Sequence, residues 1–172
     1  TELVFTNEIN TIIDVIFLCL PHGEAKLFLE NNHFSPITKI IDLSNDFRLK
    51  KDVNDFIYGL PELNKEKIKQ AKYIANPGCF ATAIQLAVLP LAKNSLFNSD
   101  VHITATTGST GAGQSLTETS HFSWRSANHS AYKVLEHQHE KEILESIAQL
   151  QNFDHELVFV PQRGAFTRGI YS

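Results

Sequence analysis

Lys72-Tyr73-Ile74-Ala75-Asn76-Pro77-Gly78-Cys79, running into the apolar stretch Phe80 to Ala92, reads as a strand that hands over to a helix through an Asn-Pro-Gly turn. The turn places a thiol at the start of that helix. A helix N-terminus carries unpaired N–H groups and partial positive charge, which favour thiolate over thiol and can hold an oxyanion formed beside the sulfur. The alternative for Cys79 is a small apolar residue opening a buried helix, since free cysteine is among the most buried residue types.

Working back from Lys72, the spacing predicts a strand near Asp14 to Leu20, a helix near Glu24 to Asn31 and a strand over Lys39 to Leu43. Tyr58-Gly59-Leu60-Pro61-Glu62-Leu63 has loop punctuation, and Lys65 to Ala71 reads as a short surface helix. Strands alternating with helices predict an α/β sheet. Forward of the Cys79 helix come a β-rich segment, Val101 to Thr107, a Gly/Ser/Thr loop, a helix from about Glu140 to Leu150 and a strand over Glu156 to Val160. That order is closer to α+β. The expectation is a partial Rossmann-like dinucleotide-binding domain over residues 1–77, followed by a partial α+β catalytic domain over 78–172.

At 172 residues, 42% hydrophobic and 20% charged, the chain is long enough for one medium core or two small ones. Fifteen basic and 19 acidic residues are mixed along it for a net charge of -4, so nothing points to nucleic acid or an anionic membrane as partner. The run from Cys79 to Ala92 is interrupted by Thr82, Gln85 and Pro90 and is too short to cross a bilayer. Cys19 and Cys79 are the two cysteines, and without an apolar leader they fit a reducing cytoplasm better than a disulfide-stapled secreted domain. Cys19 lies in Val15-Ile16-Phe17-Leu18-Cys19-Leu20, a continuous apolar run expected to be buried on both faces of a parallel sheet, with the sulfur as filler. The chain opens on Thr1-Glu2-Leu3-Val4-Phe5 and stops at Gly169-Ile170-Tyr171-Ser172 inside a predicted strand, so a fragment is expected.

Sixty residues beyond Cys79 lies Glu136-His137-Gln138-His139-Glu140-Lys141-Glu142-Ile143. Thiol, imidazole and carboxylate are the parts of an activated nucleophile, with histidine as base and the acid fixing its tautomer. A helix starting near His139 would bring Glu142 one turn on, within reach of that ring or of the N-terminal amides. The alternative is a helix cap beside an exposed histidine. A metal site built on His137 and His139 lacks a third ligand at a recognisable spacing, so no metal is expected. Gly108-Ser109-Thr110-Gly111-Ala112-Gly113 permits close backbone approach to an anion, yet it is not the G-x-G-x-x-G fingerprint and also fits a connecting turn. Leu20-Pro21-His22-Gly23 closes the first strand, where a doubly wound sheet places its ligand crevice, although a turn that merely connects strand to helix would look the same. Only four of the 15 basic residues are arginines: Arg48, Arg125, Arg163 and Arg168. Sparing use of the guanidinium fork beside glycines suggests recognition of a small anionic substrate, although a surface role is the default for any one of them.

In this order, Leu20-Pro21-His22-Gly23, Ile41-Asp42-Leu43-Ser44-Asn45-Asp46-Phe47-Arg48, Tyr58-Gly59-Leu60-Pro61-Glu62, Asn76-Pro77-Gly78-Cys79, Gly108 to Gly113, His137-Gln138-His139 with Glu142-Ile143, and Pro161 with Arg163-Gly164 resemble the N-acetyl-gamma-glutamyl-phosphate reductases, semialdehyde dehydrogenase-like enzymes of arginine biosynthesis. The resemblance implies that Cys79 attacks an acyl phosphate, expels phosphate and leaves a thioester, which NADPH reduces to the semialdehyde. It implies His139 as base, with His137 behind it and Glu142 beside it, and Arg48, Arg125 and Arg163 as candidates for holding phosphate or the substrate carboxylate. Leu20, Pro21, His22 and Gly23, with Gly108, Ser109 and Gly111, would line the cofactor cleft, and the full-length protein would be a homo-oligomer.

Members of that family begin with a strand and glycine-rich turn that cradles the NADP pyrophosphate, and end in a part that completes the second sheet. No counterpart of either is present in the chain, so the resemblance implies a piece that keeps the thiol site, binds NADPH poorly and turns over little. A second departure is Glu140-Lys141, where the family often has proline before the glutamate. An aspartate-semialdehyde dehydrogenase shares the chemistry but not the His-x-His arrangement. A Cys/His/Glu hydrolase would use the same nucleophile without nicotinamide, and a non-catalytic piece would carry an unreactive Cys79.

Overall fold

The computed structural model describes residues 4–52 and 55–172, so Thr1 to Leu3, at the head of the opening stretch, lie outside the described residues. The chain divides into two compact units, Thr1–Asn76 and Pro77–Ser172, each with its own four-stranded sheet.

In the first unit, β1 (Val15–Leu18), α1 (Glu24–Asn31), β2 (Lys39–Asp42), β3 (Phe56–Tyr58), α2 (Pro61–Gln70) and β4 (Tyr73–Ala75) form a parallel sheet in the order β1-β2-β4-β3. Register pairs Leu18 with Asp42, Asp42 with Ala75 and Ala75 with Tyr58, so the four strands end level. The loops that follow them therefore gather at the carboxyl edge, the ligand-binding edge of such sheets. Leu18, Ala25, Ile40, Phe47 and Ala75 form the core, with Phe28, Phe34 and Phe56 packed on it.

Three expectations change here. β1 is an edge strand whose apolar residues alternate: Leu18 is 2% exposed while Phe17 is 61% exposed, and Cys19, just past the strand, is exposed rather than buried filler. The segment read as a loop from Tyr58 to Leu63 contains the end of β3 and the start of α2. The helix begins at Pro61, four residues before Lys65, because proline suits a first helical position where no N–H partner exists. Asn64 breaks the helical dihedrals and donates its side-chain amide to the Tyr58 carbonyl at 3.0 Å.

The turn after β2 fixes α1 from outside. Gly23, Ala25 and Lys26 donate their backbone N–H groups to the Asp46 carboxylate at 2.6, 3.0 and 3.3 Å, so an acid 20 or more residues away serves as the helix cap. Asp46 is held in turn by Ser44, whose hydroxyl accepts the Asp46 N–H and donates to buried Asp42 at 2.7 Å. Burial pushes the Asp42 carboxyl above its usual range, against the Ser44 bonds that pull it down. Asp46→Ala leaves three N–H groups without that acceptor, and a loss of about 1–2 kcal/mol is expected in denaturant unfolding of the chain.

The second unit comprises α3 (Cys79–Lys93), β5 (Val101–Thr107), α4 (Phe122–Arg125), β6 (Ser130–Ala131), α5 (His139–Ile147), β7 (Leu157–Arg163) and β8 (Ile170–Tyr171). Its sheet runs β6-β7-β5-β8, with β5 and β7 parallel and the outer strands antiparallel. Phe80, Ala81, Ile84, Val88 and Ala92 make one stripe of α3 at helical spacing, packed with Ile143 and Ile147 of α5 and with Ala105, Leu157 and Phe159 of the sheet. Burying each of the larger side chains contributes about 1.5–3 kcal/mol. β7 runs three residues past Val160, through Pro161, to bring Arg163 beside Thr107.

Candidate active site

Gly78 caps α3 in extended conformation (φ -65°, ψ 152°), and Cys79 is the first helical residue, exposed while its neighbours Gly78 and Phe80 are buried. The carbonyl of Gly78 accepts the Thr82 N–H at 2.8 Å and the Thr82 hydroxyl at 2.9 Å, which fixes the first turn under the thiol. The Gly78 N–H donates to Glu142 Oε2 at 3.0 Å. The other carboxylate oxygen, Oε1, lies 3.9 Å from Nε2 of His139. A Cβ on residue 78 would fall on the His139 ring, so that ring lies flat against the glycine immediately before Cys79. The sequence brings this about by starting α5 at His139, which puts Glu142 one turn further on the same face.

His137 has different surroundings. Its Nδ1 accepts the backbone N–H of His139 at 3.2 Å, and its ring meets the rings of Phe80, Tyr132 and Phe159 edge-on at 5.4, 5.8 and 5.5 Å. Burial, with smaller contributions from His139 and Lys133, lowers its pKa from 6.5 to about 4, partly offset by Glu142. His137 is thus neutral at pH 7, an acceptor that shapes the turn into α5. Because its folded pKa lies below the unfolded one, its contribution to stability is complete above pH 6.5 and is lost as pH falls toward about 4. Across that window the protein should lose about 1–3 kcal/mol through this residue. His137→Asn, which keeps an acceptor two residues before His139 but does not titrate, should show a correspondingly flatter unfolding profile.

The arginines separate by what they hold. Arg48, 8% exposed, donates Nε to the Asn76 carbonyl at 2.8 Å and a terminal nitrogen to Leu43 at 2.9 Å. Arg125, 6% exposed, donates to the carbonyls of Thr119, Asn128 and Arg163 and to the Ser130 hydroxyl, tying the loop around α4 to β7. Both guanidinium groups hold protein oxygens, mainly carbonyls that turns present and that no local sequence pattern reveals. Arg163 is placed otherwise: its guanidinium carbon lies 4.6 Å from the Tyr132 ring centroid, and its Nε is buried with no hydrogen-bond partner among the described residues. Sequence reasoning passed over Tyr132, a single aromatic in a polar stretch, whose partners Pro161 and Arg163 lie far along the chain.

In the segments expected to line a nicotinamide cofactor, several backbone amides hold protein oxygens. In the turn Leu20-Pro21-His22-Gly23, the α1 amides hold Asp46, and His22 Nδ1 accepts the Asn45 N–H at 3.1 Å. Gly108, Ser109 and Thr110 donate to the carbonyls of Gly169, Phe166 and Thr167 at 3.0, 2.8 and 3.1 Å, and Gly111 donates back to Gly108 at 3.2 Å. A Cβ at Gly108 would stand 2.7 Å from the backbone of Thr167 and Arg168, so the close approach this glycine permits is to the chain itself. Among the described residues no group of three or more His, Cys, Asp and Glu could hold a metal ion, and no helix is long and apolar enough to cross a membrane.

Residues 79–172 match the family model of the semialdehyde dehydrogenase dimerisation domain, and residues 1–71 match that of the semialdehyde dehydrogenase NAD binding domain. Among curated proteins, the N-acetyl-gamma-glutamyl-phosphate reductase of Flavobacterium johnsoniae is 64% identical over 99% of this chain and 54% of its own length. Its counterpart in Christiangramia forsetii is 60% identical over 100% of this chain and 54% of its own length. The chain therefore spans about half the length of the curated relatives it matches. Among solved structures, aspartate semialdehyde dehydrogenase II from Vibrio cholerae aligns with TM-score 0.63 and 14% identity over 92% of this chain and 53% of that chain, a likeness of fold alone. With more than half of its residues on one family model and a second model matching the α/β unit before it, the chain belongs to the semialdehyde dehydrogenase family.

Proposed function

We propose that the protein carrying this chain reduces N-acetyl-gamma-glutamyl phosphate to the semialdehyde through a thioester on Cys79. The observation that carries this is the arrangement at the start of α3: an exposed thiol whose preceding glycine is pressed by a histidine and anchored by the acid beside that histidine. The names of the relatives at 64% and 60% identity support the substrate. His139 takes the Cys79 proton; the sulfur then bonds to the acyl carbon as the bond to the phosphate oxygen breaks, and phosphate leaves with the bonding electrons. Backbone N–H groups of the first turn of α3 steady the oxygen of the tetrahedral intermediate. Arg163 is the arginine assigned to a substrate oxyanion, while Arg48 and Arg125 serve the fold. A nicotinamide bound there would supply hydride to the thioester carbon, after which the C–S bond breaks, the semialdehyde leaves and the bonding electrons return to the Cys79 thiolate. NADPH as that reductant, a cytoplasmic setting and self-association through the second unit belong to the same proposal; the dimerisation model supports the last, and two free cysteines fit a reducing compartment.

The test is an assay of the protein carrying this chain with N-acetyl-gamma-glutamyl phosphate and NADPH. NADPH oxidation with equimolar phosphate release is expected. Faster turnover of aspartyl phosphate would instead assign the aspartate branch of the family, and ester hydrolysis indifferent to NADPH would assign a hydrolase.

A further inference from the structure

We infer that Tyr132 is a positioning residue for anion capture beside Cys79, its ring serving as the platform that holds the Arg163 guanidinium with its buried Nε left for an oxyanion. The inference rests on the proposed chemistry for the identity of that oxyanion, phosphate or carboxylate, and on geometry for the rest. The guanidinium carbon stands 4.6 Å from the ring centroid, within cation–π range. Tyr132 is fixed in turn: its N–H donates to the Pro161 carbonyl at 3.0 Å, its ring packs on the second unit's core, and His137 meets it edge-on at 5.8 Å. His137 also touches Phe80, the residue after the nucleophile, at 5.4 Å between ring centroids. The contacts thus run without a break from the start of α3 through His137 and Tyr132 to Arg163.

Two further observations agree. Arg163 Nε is buried and has no hydrogen-bond partner among the described residues, the state of a donor kept for something outside the chain. Burial raises the Tyr132 pKa, Arg163 lowers it by charge and hydrogen bond, and Cys79 raises it by charge, so thiol, phenol and guanidinium share one electrostatic neighbourhood. The backbone beside Tyr132 is unusual as well, with Lys133 and Leu135 at φ 45° and 59°. Neither residue is a glycine, and such conformations persist only where surrounding structure imposes them.

The test is protection of Cys79 from iodoacetamide by inorganic phosphate and, separately, by N-acetylglutamate, with peptide mass spectrometry resolving Cys79 from Cys19. Protection by phosphate, by the carboxylate, or by both identifies which oxyanion the fork takes. The half-protecting concentration should rise about 2- to 30-fold in Tyr132→Leu, the worth of a cation–π contact, and much less in Tyr132→Phe, which keeps the platform. Arg163→Ala should lose protection, and Arg163→Lys should restore only part of it, because a single ammonium replaces a fork. Melting curves identify any variant that fails to fold, and Tyr132→Trp then replaces Tyr132→Leu as the probe, with protection retained. Folded Tyr132→Leu protected like the parent, Tyr132→Phe as impaired as Tyr132→Leu, or a parent protected by neither anion would each overturn the inference. Protection behaving as described in a protein that reduces no acyl phosphate would leave the role of Tyr132 standing and defeat the proposed function instead.

Discussion

Replacing Cys79 by alanine is expected to lower acyl-phosphate reduction by about 10⁴-fold or more, to background, while leaving the fold and its melting temperature nearly unchanged. The two halves of that expectation come from separate observations. Cys79 is exposed, and the stripe of α3 that forms the core begins at Phe80, so trimming the thiol opens no cavity. Alanine is also well tolerated at a first helical position. The other cysteine, Cys19, lies just past β1 and is exposed. Cys79→Ser should fare little better than alanine, since a hydroxyl is a far weaker nucleophile than a thiolate at the same pH. Turnover above about one-hundredth of the parent rate in either variant would remove Cys79 from the mechanism.

Gly78→Ala is expected to be the second most damaging single change, although it adds one methyl group. That methyl would fall among Nε2, Cδ2 and Cε1 of His139. The ring has no easy retreat, because His139 is 6% exposed and lies between Phe80 at 6.3 Å and His137 at 4.6 Å, centroid to centroid. Moving the ring also disturbs Glu142, which accepts the Gly78 N–H and faces the same imidazole. Overpacking of this kind costs about 1–3 kcal/mol in stability. Displacing a base by about 1 Å costs on the order of 10²-fold in rate, so kcat should fall about 10²- to 10³-fold with a smaller change in KM. A variant with parental kcat would mean that His139 need not lie where it does.

The strands β1 and β2 and the helices α1 and α3 were legible because they carry their own signals: apolar runs in the strands, the break at Pro21 to Gly23 before α1, and Gly78 before a long amphipathic helix. β3, with three residues, and β6 and β8, with two each, are too short to show any period and exist through pairing with distant strands. The pairing of His139 with Glu142 could be read from helical spacing. Their contact with Gly78, 64 residues away from Glu142, could not. Arginine is the hardest residue to read from a sequence, since its role depends on which carbonyls the loops expose; Arg48 and Arg125 found protein oxygens, and Arg163 found a tyrosine ring. Nor could the sequence show that Gly108 lies against the backbone of Thr167 and Arg168, while Gly111 lies against the Thr107 side chain.

The most direct measurement of the central claim is mass spectrometry of the acid-quenched protein after mixing with N-acetyl-gamma-glutamyl phosphate in the absence of NADPH. A mass increase equal to the acyl group, mapped to the peptide containing Cys79, absent in Cys79→Ala and discharged by adding NADPH, is the predicted result. An unmodified Cys79 under conditions where phosphate is released, or an adduct on any other side chain, would contradict the thioester account.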